Sequence, residues 1–324
     1  MKHIVMTQPL CKEGYEIMEK EGGIFVADNP NPSEYMDEVE KADCIIVRIA
    51  HLNREEIEGA PKLSVIGRTG VGYDSVDVAA ATERGIPIVI TPGANGDAVA
   101  EHTIAMLFAL SNNLVEAHNE TLKGNFAIRG SGKAFELHGK TLGILGTGDI
   151  GKRVAKLAQA LCMNVCGFDP QYTKTDMEAL GIQYCDTMEE LLSVSDAVTI
   201  HTPLNPNTSN MIQLEQLKKM KPTAFLINCA RGGIVNEEDL VFALENQIIA
   251  GAGTDVFLSE PPKEDHIFFH TKNLIVSPHS AAQTKEAVIN MAVMCAQGCS
   301  AILNGEKWPH VANPEAYDHP RWKS

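Results

Sequence analysis

The hexapeptide Gly146-Thr147-Gly148-Asp149-Ile150-Gly151 constrains this chain more than any other stretch of it. It follows the apolar run Leu142 to Leu145 and leads directly into KRVAKLAQALC, so a strand, a tight turn and a helix are expected in succession. The three glycines have separate tasks. The first permits the bend, the second lets backbone N–H groups approach a pyrophosphate, and the third allows the helix to pack close to the strand. The helix N-terminus adds a favourable field for an anion. A second strand-like run, NVCGF, leads into Asp169, eighteen residues beyond Gly151. A carboxylate there accepts hydrogen bonds from ribose hydroxyls and repels a 2′-phosphate. Pro170, Gln171 and Tyr172 bring no arginine to offset it, so NAD is expected rather than NADP. Asp149 is discordant, because it sets a negative charge in the phosphate turn; it is expected to face solvent or to cap helix N–H groups.

Around this turn the chain alternates short apolar runs with helix-like stretches. From Met1 to about Gly96 the runs HIVMT, GIFVA, CIIVR, LSVIG and PIVI predict one small parallel-sheet domain. From Lys140 a second series (TLGIL, MNVCGF, AVTI, AFLIN, AGAGTDV, NLIVS) predicts six strands of a larger one. Between them, the segment from Asp97 to Gly124 has the apolar spacing of one long, largely buried connector helix. A further helical stretch after Ser280 is expected to cross back to the first domain. The predicted fold is therefore α/β, with two doubly wound parallel-sheet domains: a Rossmann NAD domain over 99–286 inserted in a flavodoxin-like substrate domain over 1–98 and 287–324.

Reduction of a ketone leaves alkoxide charge on oxygen, so such a site needs a proton donor that titrates near neutrality and a cation. Three residues beyond the glycine turn suit this chemistry. Arg231 follows AFLINCA, Glu260 lies in TDVFLSEPP, and His279 follows NLIVS in SPHSAAQT, each at or after a predicted strand end. His201, Thr202 and Pro203 also follow a strand and are read as lining the adenine side or satisfying loop backbone. Cys229 and Ala230 flank the arginine on the cofactor side; Cys229 has no base near it in sequence, which speaks against a nucleophile. His102 is read as domain packing. No HxxxH or CxxC occurs, and no metal is expected.

Read in order, LGILGTGDIG, NCARGGIVNEEDL, GTDVFLSEPP and SPHSAAQT resemble the D-isomer-specific 2-hydroxyacid dehydrogenase family over essentially the whole chain. The resemblance implies that Arg231 binds the substrate carboxylate and carbonyl oxygen, that His279 is the acid/base and that Glu260 hydrogen-bonds it. It also implies Asp255 on the nicotinamide carboxamide side, the Gly70-Val71-Gly72 turn as a backbone nest for the substrate carboxylate, and a homodimer. IIVRIAHL, LSVIGRTGVGYDSVDV and HGKTLGILGTGDIG are most similar to the D-3-phosphoglycerate dehydrogenase branch, without its C-terminal regulatory extension. That implies Arg48 and Arg68, with Arg129 as a third, for a phosphate. Ile49-Ala50-His51 departs from the branch's small polar residues, which leaves hydroxypyruvate, glyoxylate or another 2-keto acid as alternatives, and an NAD-sensing corepressor as the alternative of another class.

Charge narrows the partners. With 27 Lys and Arg against 42 Asp and Glu, the formal charge of −15 argues against extended polyanion binding, so neither nucleic acid nor an anionic membrane is expected. No apolar run looks long enough to span a bilayer, which predicts a cytoplasmic protein acting on a small anionic molecule. The eight cysteines read as reduced core thiols.

Overall fold

In the computed structural model, which describes residues 1–322, the chain divides into two compact units. One comprises Met1–Asn95 together with the residues from Gln283 on; the other is Gly96–Ala282. The first contains β1 (Lys2–Met6), β2 (Gly22–Val26), β3 (Cys44–Val47), β4 (Val65–Arg68) and β5 (Ile88–Val89), all parallel, in the order β2-β1-β3-β4-β5. The strands are apolar on both sides because both faces are covered. Ile4 and Met6 pack with Cys295 and Cys299 of the helix Lys285–Leu303, whereas Val5 packs with Ile57 and Leu63.

The second unit holds β6 (Thr141–Leu145), β7 (Asn164–Phe168), β8 (Gln183–Tyr184), β9 (Ala197–Ile200), β10 (Phe225–Asn228), β11 (Gly251–Thr254) and β12 (Leu274–Val276). Their order is β12-β11-β10-β9-β6-β7-β8, again all parallel, so the strand order reverses at the β6/β9 boundary. The carboxyl ends of strands at such a reversal are the ordinary ligand position in folds of this kind. The seventh strand, β8, was not anticipated; two residues carry no periodicity to read.

Three expectations are corrected. The connector is two helices, Gly96–Ser111 and Leu114–Leu122, because Asn113 takes a left-handed φ of 50° that ends the first. The first helix is largely buried, but the second has no buried residue. The helix Lys285–Leu303 is, by length and composition, apolar enough to cross a bilayer. Its apolarity is accounted for by packing, since Cys295, Ala296 and Cys299 are fully buried in the core of the first unit. Cys162 also differs from the expected core thiols by being exposed.

Candidate active site

The glycine turn after β6 is closed where closeness is needed and open where a ligand would approach. A Cβ on Gly146 would lie 2.8 Å from the His201 carbonyl, and one on Gly151 would lie 2.2 Å from the Gly146 carbonyl oxygen. A Cβ on Gly148 would meet nothing within 4 Å. Nearby, the hydroxyls of Thr147 and Thr202 are buried and have no hydrogen-bond partner among the described residues. Asp169 accepts from the Thr147 N–H at 2.8 Å and from the Gln171 N–H at 2.9 Å, which ties the carboxylate to the turn. This arrangement fits a dinucleotide: close backbone, unpaired buried hydroxyls and a fixed carboxylate at the end of the second strand.

Asp149 is exposed and forms an ion pair with Arg153, 3.2 Å away; Arg153 also bonds Asp97. Its charge is thus countered beside the turn rather than by capping N–H groups. Ile150 is partly buried against the core of the unit. Lys152 stands 4.4 Å from the centre of the Tyr172 ring and 3.1 Å from its hydroxyl, a contact that nothing in the sequence announced. Only the helix geometry brings the two together.

His201 donates its backbone N–H to Leu145 at 2.7 Å, and its Nε2 lies 3.0 Å from the Thr199 hydroxyl. Burial pushes its imidazole down to about 3, although the residue as a whole keeps some solvent exposure. Pro203, next but one, is exposed. Cys229 is buried against the Met106 sulfur at 3.8 Å, and burial pushes the thiol up to about 12, which leaves it protonated and inert at neutral pH.

Past β10 the backbone folds back on Asn228, a residue the sequence reading missed. Its Oδ1 accepts from the Ala230 N–H at 3.0 Å and its Nδ2 donates to the Arg231 carbonyl at 2.9 Å, which shapes the loop carrying the arginine. A polar residue ending the apolar run FLIN was the available signal. The Arg231 guanidinium donates to the Ala230 carbonyl at 2.8 Å and is close enough to Glu260 to help lower that carboxyl.

His279 Nδ1 lies 2.6 Å from Glu260 Oε2, while Glu260 Oε1 accepts from the Phe257 N–H at 3.1 Å. Partial burial raises the Glu260 carboxyl, but the bonds from His279 and Phe257 and the charges of His279 and Arg231 bring it below its ordinary range. An ionised Glu260 on Nδ1 orients the ring and leaves Nε2 as the atom that can hand over or take up a proton.

Asp255 is fully buried. Its carboxylate accepts from the Ser277 hydroxyl, the Ser280 N–H at 2.9 Å and the Ala281 N–H at 2.8 Å, so it organises the loop that carries His279.

Residues 104–281 match the model of the D-isomer specific 2-hydroxyacid dehydrogenase, NAD binding domain. The chain belongs to that family. It is 39% identical over 314 residues to the D-3-phosphoglycerate dehydrogenase of Methanocaldococcus jannaschii, covering 97% of this chain and 60% of that protein. It is 34% identical to the glyoxylate reductase of Thermococcus litoralis, covering 96% and 97% of the two chains. Among solved structures it is similar to the NAD-dependent formate dehydrogenase of Staphylococcus aureus in complex with NAD, with a TM-score of 0.84, 30% identity and coverage of 95% and 97%. The chain spans 49% to 60% of the length of the phosphoglycerate dehydrogenases it matches. Its NAD-binding domain carries the glycine turn, Arg231, Glu260 and His279 together.

The first unit presents the remaining candidates. Arg48, after β3, donates to Gln283 Oε1 at 2.5 Å, and Arg68, at the end of β4, donates to the Thr69 carbonyl. Gly70 has a φ of 154°, and its N–H is taken by the Arg68 carbonyl at 2.9 Å. A backbone nest here would therefore draw on Val71 and Gly72 rather than on all three residues. Arg129 belongs to the second unit, on an exposed turn with its guanidinium 5.6 Å from the centre of the Phe126 ring. Among the described residues no group of three His, Cys, Asp or Glu could hold a metal.

Proposed function

We propose that the chain is an NAD-dependent oxidoreductase that moves a hydride between the nicotinamide and C2 of a small D-2-hydroxy acid or 2-keto acid. The observation that carries this reading is the 2.6 Å contact of His279 with an ionised Glu260 under the charge of Arg231. When bound, the nicotinamide supplies or accepts the hydride. His279 gives a proton to the substrate oxygen in reduction and takes it in oxidation, and Arg231 grips the carboxylate and polarises the carbonyl. Residues 146–151, Asp169, His201, Thr202, Pro203, Cys229, Ala230 and Asp255 line the cofactor site; Asp255 contributes chiefly by holding its loop.

The unit ending in Ala282 serves as the NAD domain, and the other as the substrate domain, with Arg48 and the Val71-Gly72 backbone on the substrate. The first substrate to test is 3-phosphohydroxypyruvate, supported by the similarity to phosphoglycerate dehydrogenases and by Arg48. Hydroxypyruvate and glyoxylate are the alternatives, supported by similarity to glyoxylate reductases. A homodimer in the cytoplasm is the expected form. Supporting it, the unburied helix Leu114–Leu122 and the turn after it expose Leu114, Leu122 and Phe126 at 59%, 74% and 70%.

NADH absorbance with 3-phosphohydroxypyruvate, hydroxypyruvate, glyoxylate, pyruvate and branched 2-keto acids tests the reading. Turnover of at least one is expected. NADH binding without turnover on any of them would support the corepressor alternative instead.

A further inference from the structure

His279 sits in a backbone conformation that an L-residue rarely adopts, with a φ of 51°. Such a conformation is strained and persists where its surroundings over-determine it. Here its N–H donates to the Asp255 carbonyl at 2.8 Å, and the Asp255 carboxylate binds the N–H groups of Ser280 and Ala281, so one buried residue holds both sides of the turn. The third ligand of that carboxylate is the Ser277 hydroxyl. A carboxylate can only accept, so the Ser277 hydrogen points to Asp255 and its oxygen is left to accept from elsewhere. His102 Nε2 lies 3.0 Å from that oxygen and 3.7 Å from Asp255 Oδ1.

We propose that His102 is a positioning residue for His279: by donating from Nε2 to the Ser277 hydroxyl it completes the hydrogen-bonded cluster around Asp255 and so holds the turn that aims the His279 ring at Glu260. The inference rests on the reading of His279 as the acid/base. His102 suits the task because its helix, Gly96–Ser111, is a rigid backing for the site. Val99, Met106, Leu107 and Leu110 are buried in the core of the unit, and Met106 also touches Cys229, two residues before Arg231. One helix thus braces the loops of both charged groups. The reading of His102 as a domain-packing residue misses this, because its partners lie 153 and 175 positions away in sequence.

The test compares the full chain with His102→Leu, His102→Gln, Ser277→Ala and the His102→Leu/Ser277→Ala double variant, using NADH and the best 2-keto acid of the panel. Leu keeps bulk without a donor; Gln places an amide N–H near the position of Nε2. His102→Leu is expected to lose about ten- to hundredfold in kcat, the range that misplacement of a catalytic group produces, with KM little changed. His102→Gln recovers most of the loss, Ser277→Ala matches His102→Leu, and the double variant is no worse than either. Should His102→Leu fail to fold, His102→Asn, whose shorter amide falls short of Ser277, takes its place with the same expected loss. Parental kcat in the donor-free variant, equal impairment of the Gln variant, or losses that multiply in the double variant would overturn the proposal. A parent inactive on the whole panel sinks the functional reading and this inference with it; an active parent with an unimpaired His102→Leu sinks the inference alone.

Discussion

The carboxyl edges of the two sheets hold their charged side chains in different ways. In the larger unit, Glu260 has a partner for each oxygen, His279 is fixed through ring and backbone, and Asp255 is buried with three donors. In the smaller unit, Arg48 donates to the Gln283 side-chain amide oxygen, Arg68 donates to the Thr69 carbonyl among its contacts, and the loop beyond Gly70 leaves Val71 and Tyr73 exposed. Proton transfer demands placement within tenths of an ångström, whereas gripping a substrate tail tolerates a side chain that swings from one acceptor to another. On the proposed function, the contrast teaches where each task would be met: the reaction in the tightly held second unit, selectivity in the first.

The strongest way to break this contrast is to remove the acid/base. His279→Ala should lower kcat by about a hundred- to ten-thousandfold, with NADH affinity measured by fluorescence titration largely kept. A loss of only a few fold would remove the reason for treating the second unit as the reactive one. Arg48→Gln should act more selectively. If the substrate carries a phosphate, kcat/KM for 3-phosphohydroxypyruvate falls by about ten- to a hundredfold, one charge-assisted contact, while glyoxylate changes little. Equal effects on both acids would assign Arg48 to the common carboxylate instead. Asp169→Ala comes next in size: NADH binding should weaken by about tenfold, and the NADPH-to-NADH activity ratio should rise because the carboxylate no longer repels a 2′-phosphate. A ratio that does not move would place the ribose elsewhere.

The smallest effect concerns stability in acid. His201 is held neutral in the fold, with its value pushed from 6.5 to about 3, so between those limits the unfolded chain binds the extra proton and stability falls as pH falls. Glu260 has the same sign lower down: its contribution is present above its ordinary 4.5 and disappears as pH drops through its lowered folded value. Urea midpoints should therefore decline on acidification below about 6.5, and His201→Asn should flatten the upper part of that decline. Identical pH slopes for parent and variant would mean that the imidazole is charged in the fold.

Much of this was legible before any coordinates. The five apolar runs of the first half became five strands, and six of the seven strands beyond Lys140 were readable, since buried parallel strands are continuous in apolar residues. The glycine turn, Asp169, Arg231, Glu260 and His279 were also visible, because motif spacing is local. The break at Asn113 was not, since an Asn accepts helical or left-handed backbone and neighbours decide which. Ser277 and Asn228 were missed for a related reason: each is an ordinary polar residue until its partner is known.

By itself, the order of residues determined the parallel α/β architecture, the glycine turn and which charged residues follow the strand ends, because glycine spacing, apolar runs and a strand-end carboxylate act over a few residues. Only the tertiary structure decided that Lys152 meets Tyr172, that Asp149 is neutralised by Arg153, and that His102 reaches the Asp255 cluster. Those contacts depend on how helices and strand ends are brought side by side, and hydrogen bonds are settled at distances that no spacing along the chain encodes.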